Sequence, residues 1–298
     1  MLGVHRHCRF AQEATWGTYP GSPTLVHIPV IGDGYTVAQS NEHYEPRTSM
    51  YKWHMGPRRV FKKAIAGDIT MPIQGEYLEE VLGWIFTRDA TSFDGESFAC
   101  EKRDGVEGTR HTGLKVDTAT IEGDAESGNF TIRLGVIGKS EGTISSFAIP
   151  AVTDTITSGY IADAFWAFQD GNSLEIPQAT ARTTMTAFSI TVANNLKPGP
   201  PGSDQELIWL ESSNMLITGS VSLRYDDNTF TTLRRSGGAT SFEINATYGG
   251  VTLALLLPNI DVVDVGVPGE PDDVVVQTVN FIGEWDSGED ASATFTVT

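Results

Sequence analysis

The sequence predicts a mainly β protein made of two antiparallel β-barrel or sandwich modules, each with one flanking helix. Three observations carry this. Apolar and polar residues alternate over short stretches separated by Gly- and Pro-rich turns, the period-two pattern of half-buried strands. Helical spacing is scarce while β-branched residues are frequent. Finally, one strand–turn–helix stretch occurs twice. In Ala64–Phe86, Ile65, Ile69, Met71 and Ile73 mark a strand with Gly67 interrupting it, and Leu78, Val81, Leu82 and Ile85 form a helical stripe. In Leu216–Arg235 one constant offset matches Ile217 to Ile65, Gly219 to Gly67, Val221 to Ile69, Leu223 to Met71, Phe230 to Leu78 and Leu233 to Val81. A gapless match of this kind marks an internal duplication.

The elements follow in order. Residues 1–24 end in a turn-rich GTYPGSPT segment, and Leu25–Val30 and Tyr35–Val37 read as short strands around an IGDG turn. Residues 41–63 read as a long basic-aromatic loop broken by Pro46, Gly56 and Pro57. A polar insert spans about 88–112, then Leu114–Ile121 and Asn129–Gly138 alternate across an EGDAESG hairpin turn. The first module thus covers residues 1–138 and residues 139–172 form a linker that includes the apolar run 164–168. The second module, 173–298, contains a strand at Ala187–Val192 and a Pro/Gly loop at Asn194–Asp204 expected to hold no ladder. After the repeated unit come strands at Phe242–Tyr248 and Leu253–Leu257 and an acidic loop from Asp261 to Asp273. Val274–Trp285 and Ser292–Thr298 read as two closing strands across a DSGED turn.

A chain of 298 residues builds substantial cores. Its formal charge of −18 argues against wrapping a nucleic-acid backbone, since like charges repel, but suits a surface past which a nucleic acid slides. Two cysteines far apart, Cys8 and Cys100, form no disulfide framework and fit a reducing compartment. The N-terminus has no apolar signal region, and the aliphatic run Val251–Leu257 is too short to span a bilayer. A soluble protein made in a cytoplasm is expected, with no membrane partner.

Several residues on this chain, in this order, resemble the major tail-tube proteins of long-tailed (siphovirus-like) bacteriophages. They are QEATWGTYPGSPT at 12–24, GDITMPIQGEYLEEVLGWIF at 67–86, HTGLKVDTATI at 111–121, LALLLPNIDVVDVG at 253–266 and DDVVVQTVNFIGEWD at 272–286. The resemblance implies modules of the tail-tube type and a structural virion protein that assembles, in the host cytoplasm, into stacked rings of a hollow tail. DNA would pass through the lumen without specific binding, and other tail proteins would be further partners. With two modules per chain, three chains would make a pseudo-hexameric ring; with one tube module and one decoration, six would. The rival readings are a carbohydrate-binding β-sandwich protein and a tail terminator or capsid decoration protein.

Site residues follow from charge. Arg47, Lys52, Arg58, Arg59, Lys62 and Lys63 cluster in the basic-aromatic loop of an acidic protein, while no Lys or Arg occurs after Asp261. Separated charges of opposite sign favour head-to-tail contact between copies. The loop is therefore expected to dock on an acidic partner loop of another copy, carrying Asp261, Asp264, Asp272 and Asp273. His5, His7 and Cys8 lack a second ligand pair for zinc, and the aspartates lack the spacing and late Glu of a calcium loop. No catalytic motif occurs. No enzymatic role, metal or cofactor is expected, and the sequons at Asn129 and Asn245 fall in strands.

Overall fold

The computed structural model describes residues 7–22, 28, 30, 34–44, 59–73, 78–86, 96–104, 107–124, 129–144, 173–175, 185–225, 228–248, 251–266, 276–284 and 293–297. The first half contains β1 (His7–Gln12), β2 (Ala38–Tyr44), β3 (Arg59–Pro72), α1 (Leu78–Phe86), β4 (Phe98–Asp104), β5 (Glu107–Asp124), β6 (Asn129–Gly138) and β7 (Ser140–Ile144). The second contains β8 (Ser173–Glu175), β9 (Met185–Ala193), β10 (Lys197–Pro198), β11 (Leu210–Glu211), β12 (Leu216–Arg224), α2 (Thr229–Ser236), β13 (Thr240–Tyr248), β14 (Val251–Gly266), β15 (Val276–Gly283) and β16 (Thr294–Val297). The main sheet runs β2-β3-β6-β5-β9-β12-β15-β14-β13-β8, with β1 on β4, β7 on β5 and β16 on β14. Among the described residues every pairing is antiparallel and the two ends of the path, β2 and β8, do not pair, so the described sheet is open and not a closed barrel.

The two halves repeat one pairing pattern. In the first, β2 pairs β3, β3 pairs β6, β6 pairs β5, and β5 also pairs β4 and β7, with β1 beyond β4. In the second, β9 pairs β12, β12 pairs β15, β15 pairs β14, and β14 also pairs β13 and β16, with β8 beyond β13. The register agrees residue by residue. Ile65 faces Gly138 and Ile69 faces Leu134, as Ile217 faces Gly283 and Val221 faces Val279. Even the bulges coincide. The ladder shifts at Asp117, between Val116 and Thr118, and at Val263, between Val262 and Asp264. A bulge inserts a residue and bends the strand. Bent in this way, β5 gives its first half to the sheet with β1, β4 and β7 and its second half to the main sheet.

Burial follows the alternation. Ile65, Ile69 and Met71 of β3 and their counterparts Ile217, Val221 and Leu223 of β12 are all buried. Leu78 and Val81 on α1 are buried, as is Phe230 on α2, and Leu233 packs on the same core. Trp84 of α1 stacks on Phe98 at 4.2 Å between ring centroids and donates its indole N–H to Gln12 Oε1 at 2.7 Å. Gly237 ends α2 in the left-handed region, where a side chain is disfavoured.

Several expectations are corrected. Asn41–Tyr44 and Arg59–Lys63, read as parts of a loop, are strand residues of the β2–β3 pairing, because Ser40/Ala64 and Asn41/Lys63 continue its ladder. The polar insert contains β4, whose buried Phe98, Ala99 and Cys100 were hidden among Gly and charges. The linker begins with β7. The Pro/Gly loop does enter a ladder, since its β10 pairs with β11 beyond the loop and its Pro201 bridges to Leu207. Asp261 and Asp264 lie on β14, not in a loop. The strand survives Pro258 because the ladder to β13 shifts there, and a bulge needs no proline N–H. The closing strands are not paired with each other, since β16 joins β14. The run at 164–168 and most of Leu25–Val30 lie outside the described residues.

The repeated glycines have a steric cause. A Cβ on Gly67 would lie 2.5 Å from the Val37 backbone, and one on Gly219 2.2 Å from the Phe281 ring. Gly67→Ala should therefore cost about 1–3 kcal/mol, the usual range for overpacking. Urea denaturation should show a lower midpoint for it, whereas Gly21→Ala, with no atom within 4 Å, should match the parent. Equal midpoints would mean that β3 is not approached this closely.

Candidate assembly interface

The two halves meet edge to edge. β5 pairs β9 over seven residue pairs, from Thr118/Ala193 through Ala119/Val192 to Asp124/Ala187. Inward, Ala119, Ile121, Ile190 and Val192 are buried. At the bulge, Asn194 N–H donates to the Asp117 carbonyl at 2.7 Å, and Leu196 N–H to Asp117 Oδ1 at 2.7 Å. The buried Asn194 side-chain amide donates to the carbonyls of Ile85 at 3.1 Å and Val116 at 3.0 Å. It thus ties the end of α1 to the bulge and satisfies carbonyls that water does not reach. The segment after β9 folds back over the first half. Gln205 O accepts Lys63 N–H at 2.8 Å, and the buried Lys115 ammonium donates to the Leu210 carbonyl at 3.2 Å.

The outward face of the main sheet is mostly hydroxyl. Cross-strand neighbours run Arg133/Thr120, Thr120/Thr191 and Thr191/Thr218, and alongside them Thr131/Glu122, Glu122/Ser189, Ser189/Ser220, Ser220/Asn280 and Asn280/Asp264. Arg133, the cation in these rows, is held by Asp68 at 2.8 Å. Two shallow depressions on this face are lined by Ser189, Ser220 and their neighbours.

Two edges remain. Among the described residues β2 pairs only β3, and beyond Ile260 β14 pairs only β15. On the β2 side, Gln39 N–H donates to Glu141 Oε2 at 3.1 Å. That carboxylate also lies 2.9 Å from His111 Nε2, and His111 Nδ1 lies 2.7 Å from the Tyr35 hydroxyl. Burial lowers the His111 pKa despite Glu141, so the ring is neutral near pH 7. It donates Nε2–H to the carboxylate and accepts the Tyr35 proton. Cys8 and Cys100, far apart in sequence, are both buried beside this group, and burial with the neighbouring Cys8 thiol pushes the Cys100 pKa well up.

Of the basic residues, Arg59, Lys62 and Lys63 lie on β3, and Lys62 pairs with Glu42 at 3.2 Å. Arg47, Lys52 and Arg58 lie outside the described residues, as do Asp272 and Asp273. Asp264 pairs with Arg234 of α2 at 3.3 Å. Asn194, Glu141 and the hydroxyl face were not singled out from sequence. The Asn194 signal is present, since Asn41 stands at the matching place before β3, but it shows only once the strands are paired.

A duplicated, open-edged β protein with a neutral-to-acidic sheet face and charges segregated along the chain has the makings of an assembly subunit. Residues 6–283 match the family model described as phage tail tube protein, and the chain belongs to that family. It is a structural protein of the virion tail. No curated protein matches the chain. No helix among the described residues is long and apolar enough to cross a membrane.

Within the first half, buried Glu101 accepts two hydrogen bonds from Arg110, at 2.6 and 2.9 Å, and another from Arg9. Burial raises its pKa, but the bonds from Arg110 and Tyr19 and the charges of Arg9 and Arg110 outweigh it, so the carboxyl sits below its usual range. A carboxyl with a lowered folded-state pKa stabilises the fold above its unfolded pKa. That contribution fades as pH falls through the unfolded value and on through the folded one. Glu101→Gln should cost on the order of 2 kcal/mol at pH 7, the scale of hydrogen bonds to charged groups. The gap should shrink on acidification below about pH 4, where the unfolded-state carboxyl takes up its proton. Thermal melts across pH check this, and a gap that widens in acid refutes it.

Proposed function

We propose that the chain is a two-module tube subunit, with modules at 1–138 and 173–298 joined by a linker at 139–172 whose β7 packs on the first module, and that three copies close a pseudo-hexameric ring. The observation that carries this is the repeated pairing pattern, bulges included. Each half offers the same edges, so three chains present six like units, and rings stack with each other and meet other tail proteins. The hydroxyl face lines the bore. Small side chains leave it smooth, and the excess of Asp and Glu over available cations gives phosphate nothing to hold, so DNA passes without specific binding. The role is structural and not enzymatic. A top-view reconstruction of purified tubes should count three chains per ring and place Ser189, Ser220 and Asn280 on the bore. Six chains, or this face on the rim, would sink the reading.

The basic stretch, Arg47 to Lys63, docks on the acidic strand and tail of a neighbouring copy, at Asp261, Asp264, Asp272 and Asp273. Charge separation along the chain supports this. Reversing Arg58, Arg59, Lys62 and Lys63 to Glu should leave circular dichroism unchanged while sedimentation shows tubes lost. Tubes at parental yield would refute the docking.

A further inference from the structure

Resting on the ring reading, we propose that copies join by pairing the outer edge of β14 with β2 of a second copy, in the register of the β5–β9 ladder inside one chain. The in-chain joint is a template because each of its strands has a counterpart. β9 lies on β12 as β2 lies on β3, and β5 lies on β6 as β14 lies on β15. The coincident bulges at Asp117 and Val263 fix the alignment of β5 with β14. The parallel pairs Ile217/Val192 and Ile65/Gln39 fix β9 against β2. Carrying Thr118/Ala193, Ala119/Val192 and Thr120/Thr191 across gives Asp264 facing Ser40, Val265 facing Gln39 and Gly266 facing Ala38 of the second copy.

Three details of the edges agree. Asn41 is the counterpart of Asn194, and it is exposed on its edge whereas Asn194 is buried in the formed joint. In the ring its amide would reach the Val262 carbonyl and the last turn of α2, as Asn194 reaches Val116 and Ile85. Val263, at the bulge, is 50% exposed, an aliphatic side chain that a second copy would cover. The N–H of Gln39, which faces the incoming strand, is occupied by the Glu141 carboxylate. Extending the β14–β16 register by one residue makes Ala293, just before β16, the counterpart of Glu141, beside a joint that is already made. A carboxylate on an open edge and an alanine on a closed one is the distribution expected where stray pairing must be blocked. The carboxylate yields when the proper strand supplies a carbonyl.

In the inferred ladder Val265 and Gln39 exchange hydrogen bonds. Asp264 and Ser40 are then a non-hydrogen-bonded pair, with Cα atoms about 4.5 Å apart, within the roughly 4.4–6.8 Å of a disulfide. Ser40→Cys with Asp264→Cys should, on mild oxidation of tubes, convert most of the chain to covalent multiples ending at three. Ser40→Cys with Gly266→Cys, two residues out of register, should stay below a tenth of that yield. Cys8 and Cys100 are buried and leave the background low. Asn41→Leu should keep the parental melting temperature and raise the concentration for tube onset at least tenfold, a reading that stands even if the double variant does not assemble. Where the wild-type chain forms tubes, a matched pair that links no better than the offset pair, or normal onset in Asn41→Leu, would overturn this joint and leave the ring intact. A wild-type chain that stays monomeric at every concentration would overturn both.

Discussion

Seven residue pairs between Thr118–Asp124 and Ala187–Ala193 hold the two halves of this chain in one sheet, and the remaining architecture is arranged around that ladder. Its inward residues, Ala119, Ile121, Ile190 and Val192, are buried, so slipping the ladder by one residue would turn all of them to solvent. Burying each large aliphatic side chain contributes about 1.5–3 kcal/mol. Asn194 and the Asp117 bulge lock the register where α1, β5 and β9 meet. The joint is thus defined by both packing and hydrogen bonds, and among the described residues it leaves an outer edge of β2 and the end of β14 beyond Ile260 unpaired.

An open antiparallel sheet is a liability in isolation, because its edges are templates for stray pairing. This chain handles the liability with charge. Glu141 caps an edge N–H of β2, Lys62 and Glu42 pair across β2 and β3, and Asp264 and Arg234 sit at the far end. Exposed ion pairs of this kind are weak, each being worth about 0–1 kcal/mol, so they guard an edge without fixing it. The same economy shapes the sheet face. Thr120 bonds Thr191 and Ser222 bonds Thr278 between strands of this face, and the Arg133 row presents no cation free of a carboxylate.

The regular elements were largely legible. Leu78, Val81, Leu82 and Ile85 announced α1, the Asn129–Gly138 alternation gave β6 to the residue, and the six matched pairs of the repeat fall on β3–α1 and β12–α2. Local signals failed where long-range pairing overrides them. β4 is surrounded by Gly and charged residues, and β14 continues through Pro258 and two aspartates because β13 holds it up to Ile260 and β15 from there on. Charge marked Lys62, Lys63, Asp261 and Asp264 as notable, but it placed them on loops, and it passed over Asn194 and Glu141, whose importance comes from partners some thirty to one hundred residues away.

By itself the sequence determined the β class, the helix positions, the repeat and the family, since all of these rest on the period of apolar residues and on ordered local patterns. Only the tertiary structure decided which strands are neighbours, which edges stay open and which face carries the hydroxyl rows. Hydrogen-bonded ladders join residues distant along the chain, and nothing in a strand's own alternation says which partner it will meet.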